Sequence, residues 1–232
     1  MRAARLAENV GPPWHTVIKM RHVLTITALS SVLFLSGCSS SNEKKAEETP
    51  GSPPPVYKVQ FDTSKGPFVV EVHSDWAPYG AARLYELVGK GFYDGNRFFR
   101  VLRGFVAQFG INGDPKVNRE WMNSTLPDDP RARHNVRGTL TFASTRMINS
   151  RSTQLFVNLG DNSANLDPQN FAPLGQVVSG MEVVDQLWAG YGEMSTGGPG
   201  PDPTQIQIQG NDYLQRNFPH LDYIKTATIL KQ

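Results

Sequence analysis

A mainly β domain is the fold this sequence predicts: an antiparallel sheet closed into a barrel and capped by two α-helices. Three observations predict it. Eight short runs rich in branched and aromatic residues lie between Tyr57 and Leu230, separated by Gly, Pro, Asp and Asn. Two stretches carry apolar residues at helical spacing. The single cysteine, Cys38, allows no intramolecular disulfide, so burial must hold the fold, and 39% hydrophobic content in 232 residues is enough for one domain core.

The elements follow in order. Residues 57–62 alternate, Ser64, Lys65, Gly66 and Pro67 are turn chemistry, and residues 68–73 alternate again, which makes a hairpin. Pro78 suits the first turn of a helix, with Ala81, Leu84, Tyr85, Leu87 and Val88 on one face until Gly89 and Gly91 stop it. Strand-like runs follow at 98–102, 105–109, 139–143, 155–158 and 174–178. A second amphipathic helix spans 181–188, entered through Ser179 and Gly180, and a last strand covers 224–230. Two long loop insertions, 112–137 and 191–221, are rich in Gly, Pro, Asp and Asn, and connections of that length are commonly functional or flexible. Trp121 in the first, and Tyr191, Tyr213, Phe218 and Tyr223 around the second, are expected to anchor them.

Ahead of the domain, Arg21 and His22 precede uncharged residues 23–37, which end Leu35-Ser36-Gly37-Cys38. A basic start, a short apolar run and small residues describe a secretory signal; the run is too short for a membrane-spanning helix, which takes about 20 residues. Its ending in Cys resembles the lipobox of bacterial lipoproteins, in which Cys38 is acylated and becomes the mature N-terminus. Met20 stands just before Arg21, so residues 1–19 are expected to be an upstream extension from a misplaced start, with 20–38 the lipoprotein signal peptide. Residues 39–55, without aromatic or branched apolar side chains, form a flexible tether, and 56–232 form the domain. The expected location is outside the cytoplasm, lipid-anchored to an envelope membrane. Ser39 rather than Asp after Cys38 favours the outer membrane in a Gram-negative envelope.

Charge narrows the function. Residues before Ser39 carry Arg2, Arg5, Lys19 and Arg21 against Glu8, which leaves 19 basic and 20 acidic residues in the remainder. A nucleic-acid partner needs a basic face, and that balance gives it no support. Asp128, Asp129 and His134 do not converge from a regular element as metal ligands do, and residues 195–198 lack the Lys-Ser/Thr and the strand-helix frame of a phosphate loop. No metal and no cofactor is expected.

The segment FFRVLRGFVAQFG, residues 98–110, resembles the cyclophilin signature at Phe98, Arg100, Gly104, Phe105 and Gln108. GTLTFAS at 138–144, STQLFV at 152–157, Leu166-Asp167, FAPLGQV at 171–177 and GMEVVD at 180–185 follow in the family's order. The likeness covers nearly all of 56–232 and implies an eight-stranded barrel and peptidyl-prolyl cis/trans isomerase activity. Phe99, Arg103, Phe109 and Phe171 stand where His, Pro, Gly and His are frequent in the family, and Asn165 lies near the position of a Trp associated with cyclosporin binding.

The chemistry is compatible with these residues. Rotation about an X-Pro bond breaks amide resonance against a barrier of about 18–20 kcal/mol. No bond forms and no proton leaves, so a site without nucleophile, metal or acid/base pair suffices. The prolyl nitrogen becomes pyramidal, and a fixed cation with several donors stabilises it. An arginine in an aromatic strand is ordinarily a surface residue with a packed stem, but the joint spacing of Arg100, Phe105, Gln108, Gln154 and Phe156 assigns Arg100 this catalytic role. The resemblance implies that Gln108 and Gln154 orient Arg100 and bind substrate backbone. It places Phe105, Val106, Phe156, Leu166 and Phe171 around the proline ring, and the backbone of Ala143 and Ser144 beside the preceding residue. The expected partners are proline-containing polypeptides and the lipid anchor, with the protein monomeric. A membrane-tethered peptide-binding chaperone module with weak or no catalysis is the alternative; a purely structural lipoprotein leaves Arg100 and both glutamines without a purpose.

Overall fold

The computed structural model describes residues 52–145, 147–193 and 198–231. The expectations for residues 1–19, for the signal peptide with Cys38 and for the tether up to residue 51 fall outside the described residues.

Strands β1 (Val56–Thr63) and β2 (Gly66–His73) form the hairpin, with Thr63 opposite Gly66. The alternation read in the sequence sends Tyr57, Val59, Phe61, Phe68, Val70 and Val72 into the core. Helix α1 (Pro78–Gly89) starts on its proline and buries Ala81, Leu84, Leu87 and Val88. Its N-cap position, Ala77, offers no side-chain acceptor. The cap comes instead from Asp129, whose carboxylate accepts from the amides of Tyr79 and Gly80, both at 2.9 Å.

Then come β3 (Arg100–Leu102), β4 (Val106–Phe109), helix α2 (Pro115–Trp121), β5 (Thr139–Phe142) and β6 (Leu155–Asn158). Helix α3 (Ser163–Leu166) and a 3-10 turn (Asp167–Gln169) lead to β7 (Pro173–Ser179), α4 (Met181–Asp185), α5 (Pro203–Gln209), α6 (Asn211–Asn217) and β8 (Ile224–Leu230). The eight strands make one antiparallel sheet in the order β3-β4-β6-β5-β7-β2-β1-β8. Its inner face packs Phe61, Phe68, Tyr93, Phe98 and Phe109, with Phe61 and Phe109 edge to face at 5.6 Å.

Three expectations are corrected. The sheet curls into an open half-barrel rather than a closed barrel: β3, three residues long, and β8 stand at opposite ends of the strand order without pairing, and residues 95–98 ahead of β3 meet residues 222–224 instead, through the Arg97–Tyr223 bridge and the backbone hydrogen bonds of Gly95, Phe98 and Ile224. The second core helix is Met181–Asp185, shorter than the 181–188 periodicity suggests, because the amide of Trp188 donates to Asp222 Oδ2 at 2.7 Å instead of continuing the helix. The insertions are not plain loops: the first contains α2, and the second contains α5 and α6. Ile206, Leu214, Phe218 and Leu221 of the second insertion form a separate small core with Phe99 and Ile111, edged by Tyr191 and Tyr213. Trp121 packs on the domain through Phe92 and under Arg83 and Lys90.

Candidate active site

Strand alternation divides β3, β4 and β6 into two faces. Val101, Ala107, Phe109, Leu155 and Val157 point into the core, so Arg100, Val106, Gln108 and Phe156 stand on the opposite face. Register then places them in a row: Arg100 pairs with Gln108, and Gln108 with Phe156. At the usual strand spacing, about 10 Å separates the arginine strand from the phenylalanine strand.

The guanidinium of Arg100 is held from several directions. Nη1 donates to Gln108 Oε1 at 3.2 Å, and Gln108 Nε2 donates to Gln154 Oε1 at 3.0 Å. The ring of Phe105 lies 5.4 Å from its central carbon, and Nε donates to the carboxylate of Glu193. The Arg100 side chain keeps 24% of its exposure, so it is both fixed and reachable.

Beside this cation, Val106, Phe156 and Leu166 form a buried apolar cluster edged by Phe105, Ala143 and Phe171. Phe171 meets Phe156 edge to face at 5.7 Å. Ala143 is fixed by its amide, which donates to the carbonyl of Gln154 at 2.8 Å. Ser144 lies farther out, lining a cavity of about 320 Å³ with Asp128, Thr145, Met147, Ile148, Gln169, Asn170 and Phe171. The cavity therefore opens beside the apolar cup rather than over Arg100, and Phe171 is common to both. Of the ten residues singled out within the described chain, nine converge on the cup and its polar edge, and Ser144 stands at the adjoining cavity.

Sequence reasoning passed over the polar layer that holds the cup. The carbonyl of Phe105 accepts from Asn162 Nδ2 at 2.7 Å, Asn162 donates to Asn158 Oδ1 at 2.7 Å, and Asn158 donates to Thr139 Oγ1 at 2.9 Å. Asn135 Nδ2 donates to the carbonyl of Phe171 and to Asp167 Oδ1, both at 2.8 Å. Each is a buried polar group with its partners, and together they fix the loops that carry Phe105 and Phe171. Polar side chains closing apolar runs, as Asn158 does after LFV, are the signal that points to them. Glu193 was also passed over, since an acidic residue in a glycine-rich insertion has no local signature.

The discarded charged groups have structural partners. Arg151 pairs with Asp128 at 3.2 Å and with Asp129 at 3.0 Å, and His134 contacts Asp167 at 2.6 Å. Burial acts to raise the Asp167 pKa, but hydrogen bonds from Asn135 and His134 and the charge of Arg131 outweigh it and leave the group below its ordinary value. Arg103 is exposed and donates to the carbonyl of Asp185 at 2.7 Å.

The family model described as cyclophilin type peptidyl-prolyl cis-trans isomerase/CLD matches residues 58–210. A peptidyl-prolyl cis-trans isomerase of Acinetobacter baylyi is 31% identical over 135 residues, which is 56% of this chain and 70% of that protein. Peptidyl-prolyl cis-trans isomerase B of Escherichia coli is 29% identical over 136 residues, 56% of this chain and 82% of the relative. Among solved structures, a cyclophilin type isomerase of Cryptosporidium parvum superposes with a TM-score of 0.56 at 17% identity, covering 76% of this chain and 99% of that one.

Proposed function

The chain belongs to the cyclophilin-type peptidyl-prolyl cis-trans isomerases, and from that premise we propose that it accelerates X-Pro isomerisation in exported polypeptides, with Arg100 as the catalytic cation. The observation that carries the reading is the row in which a held, partly exposed guanidinium stands beside an apolar cup on one sheet face. The proline ring enters the cup of Val106, Phe156 and Leu166, walled by Phe105 and Phe171. Nη2 of Arg100 donates to none of the described residues and is the donor assigned to the substrate.

As the amide twists, the prolyl nitrogen gains a lone pair, and a donor already in place stabilises it without reorganisation. Gln108 holds Nη1, and Gln154 holds Gln108, so the donors are aligned before substrate arrives. Each tenfold of acceleration needs about 1.4 kcal/mol, within reach of one charge-assisted hydrogen bond plus desolvation of the twisted bond. Ala143 and Ser144 present backbone groups to the residue preceding proline.

The Leu35-Ser36-Gly37-Cys38 sequence supports placing this activity outside the cytoplasm, tethered by an acylated Cys38 and acting on folding clients. Palmitate labelling of the chain and of Cys38→Ser tests the anchor: label in both, or in neither, removes it. Exchange of an X-Pro peptide, followed by NMR with the full chain and with Arg100→Ala, tests the catalysis. Acceleration by the first and its collapse in the second are expected; equal rates at the uncatalysed value would falsify the isomerase reading.

A further inference from the structure

We infer that Glu193, delivered by the second insertion, is a positioning residue for Arg100, an addition to the glutamine relay that rests on the isomerase reading above. The carboxylate accepts from Nε, the inner edge of the guanidinium, and not from the outer pair of nitrogens. Gln108 takes Nη1 and the Phe105 ring lies against the plane. Edge, end and face of one planar group are thereby fixed, and the remaining donors are those a twisted amide can use.

The insertion is built to deliver this carboxylate. Its small core closes on Phe99, the residue next to Arg100, so seating the insertion and placing Arg100 depend on adjacent positions of one segment. Tyr191, two residues before Glu193, packs edge to face on Phe218 at 5.1 Å, and its hydroxyl accepts from the amide of His220 at 3.3 Å. The backbone at Glu193 is clasped by glycines: a Cβ at Gly200 would stand 2.6 Å from the Glu193 Cα, and one at Gly198 would strike the Glu193 carbonyl. The Glu193 side chain retains 13% exposure, so water competes weakly for the pair.

Four variants of the full chain test this: Glu193→Ala, Glu193→Gln, Gly200→Ala and the double variant Arg100→Ala with Glu193→Ala. Loss of one charge-assisted hydrogen bond corresponds to about tenfold. Glu193→Ala is expected to lower kcat about tenfold with KM within about twofold, Glu193→Gln to recover most of the rate because its amide oxygen still accepts from Nε, and Gly200→Ala to resemble Glu193→Ala with the carboxylate present. In the Arg100→Ala background, removing Glu193 is expected to change nothing further.

The Nε–H resonance of Arg100 reports the pairing without turnover, and it should exchange faster with water in Glu193→Ala. A Glu193→Ala enzyme as fast as the parent or faster, an equal loss in the Arg100→Ala background, or an unaltered Nε–H resonance each overturns the inference. An inactive parent with a protected Nε–H would instead remove the isomerase reading and leave the pairing standing.

Discussion

Asp129 and Arg151 form an ion pair of 3.0 Å with side-chain exposures of 0% and 3%, and the same carboxylate caps α1 through the amides of Tyr79 and Gly80. One side chain thus ties the start of a helix to the segment that leads into β6. Arg151 also reaches Asp128 and the carbonyl of Pro127, so its charge is enclosed by acceptors.

Removing Asp129 takes away the buried partner of Arg151, leaving it the more exposed Asp128, and uncaps the helix together. Asp129→Ala is expected to cost about 3–5 kcal/mol. Urea unfolding should show the midpoint falling with an unchanged slope; a loss under about 1 kcal/mol would show that Asp128 alone suffices for Arg151.

Gln108 is the middle of the chain from Arg100 to Gln154. Gln108→Leu removes both hydrogen bonds with little change of volume, and kcat/KM should fall about tenfold while stability changes by less than about 1.5 kcal/mol. Parallel peptide-exchange and denaturation measurements separate the two, and a rate loss matched by an equally large stability loss would count against a role for Gln108 at the site.

The cup depends on Phe156, which is 4% exposed. Phe156→Leu keeps an apolar floor but removes the edge-to-face partner of Phe171, so KM for an X-Pro peptide should rise more than kcat falls. Full truncation to Ala is expected to cost about 3–5 kcal/mol as well, which makes Leu the cleaner probe. A Leu variant with unaltered KM would move the proline away from this ring.

Acidification should release the loop carrying Phe171. The Asp167 pKa lies below its ordinary 3.8, so its contribution is complete above that value and disappears as pH falls through the depressed pKa. Stability of the parent should therefore drop on acidification through that window, while Asp167→Asn should lack this component and start less stable at neutral pH. Identical acid slopes for the two proteins would place the effect elsewhere.

Local patterns were legible and imported ones were not. The β1–β2 hairpin follows from period-two alternation around Ser64 and Lys65, and α1 from Pro78 and its apolar face. The cap of α1 was hidden because Asp129 arrives from 49 and 50 residues away. Helix α5 was hidden for a different reason. Its Ile206-Gln207-Ile208-Gln209 alternates like a strand, yet Asp202 caps it by accepting from the Thr204 amide, and Ile206 is drawn into the core around Phe99. Arg100, Phe105, Gln108, Gln154 and Phe156 could be picked out together because they fall in short contiguous motifs that resemble the family signature, on or directly beside β3, β4 and β6. Glu193 belongs to the segment where no repeat or periodicity announces which residue will face the sheet.

The alternation that puts Arg100 outward and Val101 inward also works as a safeguard on assembly. A one-residue slip of β3 against β4 would turn Arg100 toward Phe61 and Phe109 and expose Val101, exchanging a solvated cation for a buried one. Misregistered chains would be penalised by the group proposed as the catalytic cation, so Arg100 also proofreads the pairing of the strand that carries it.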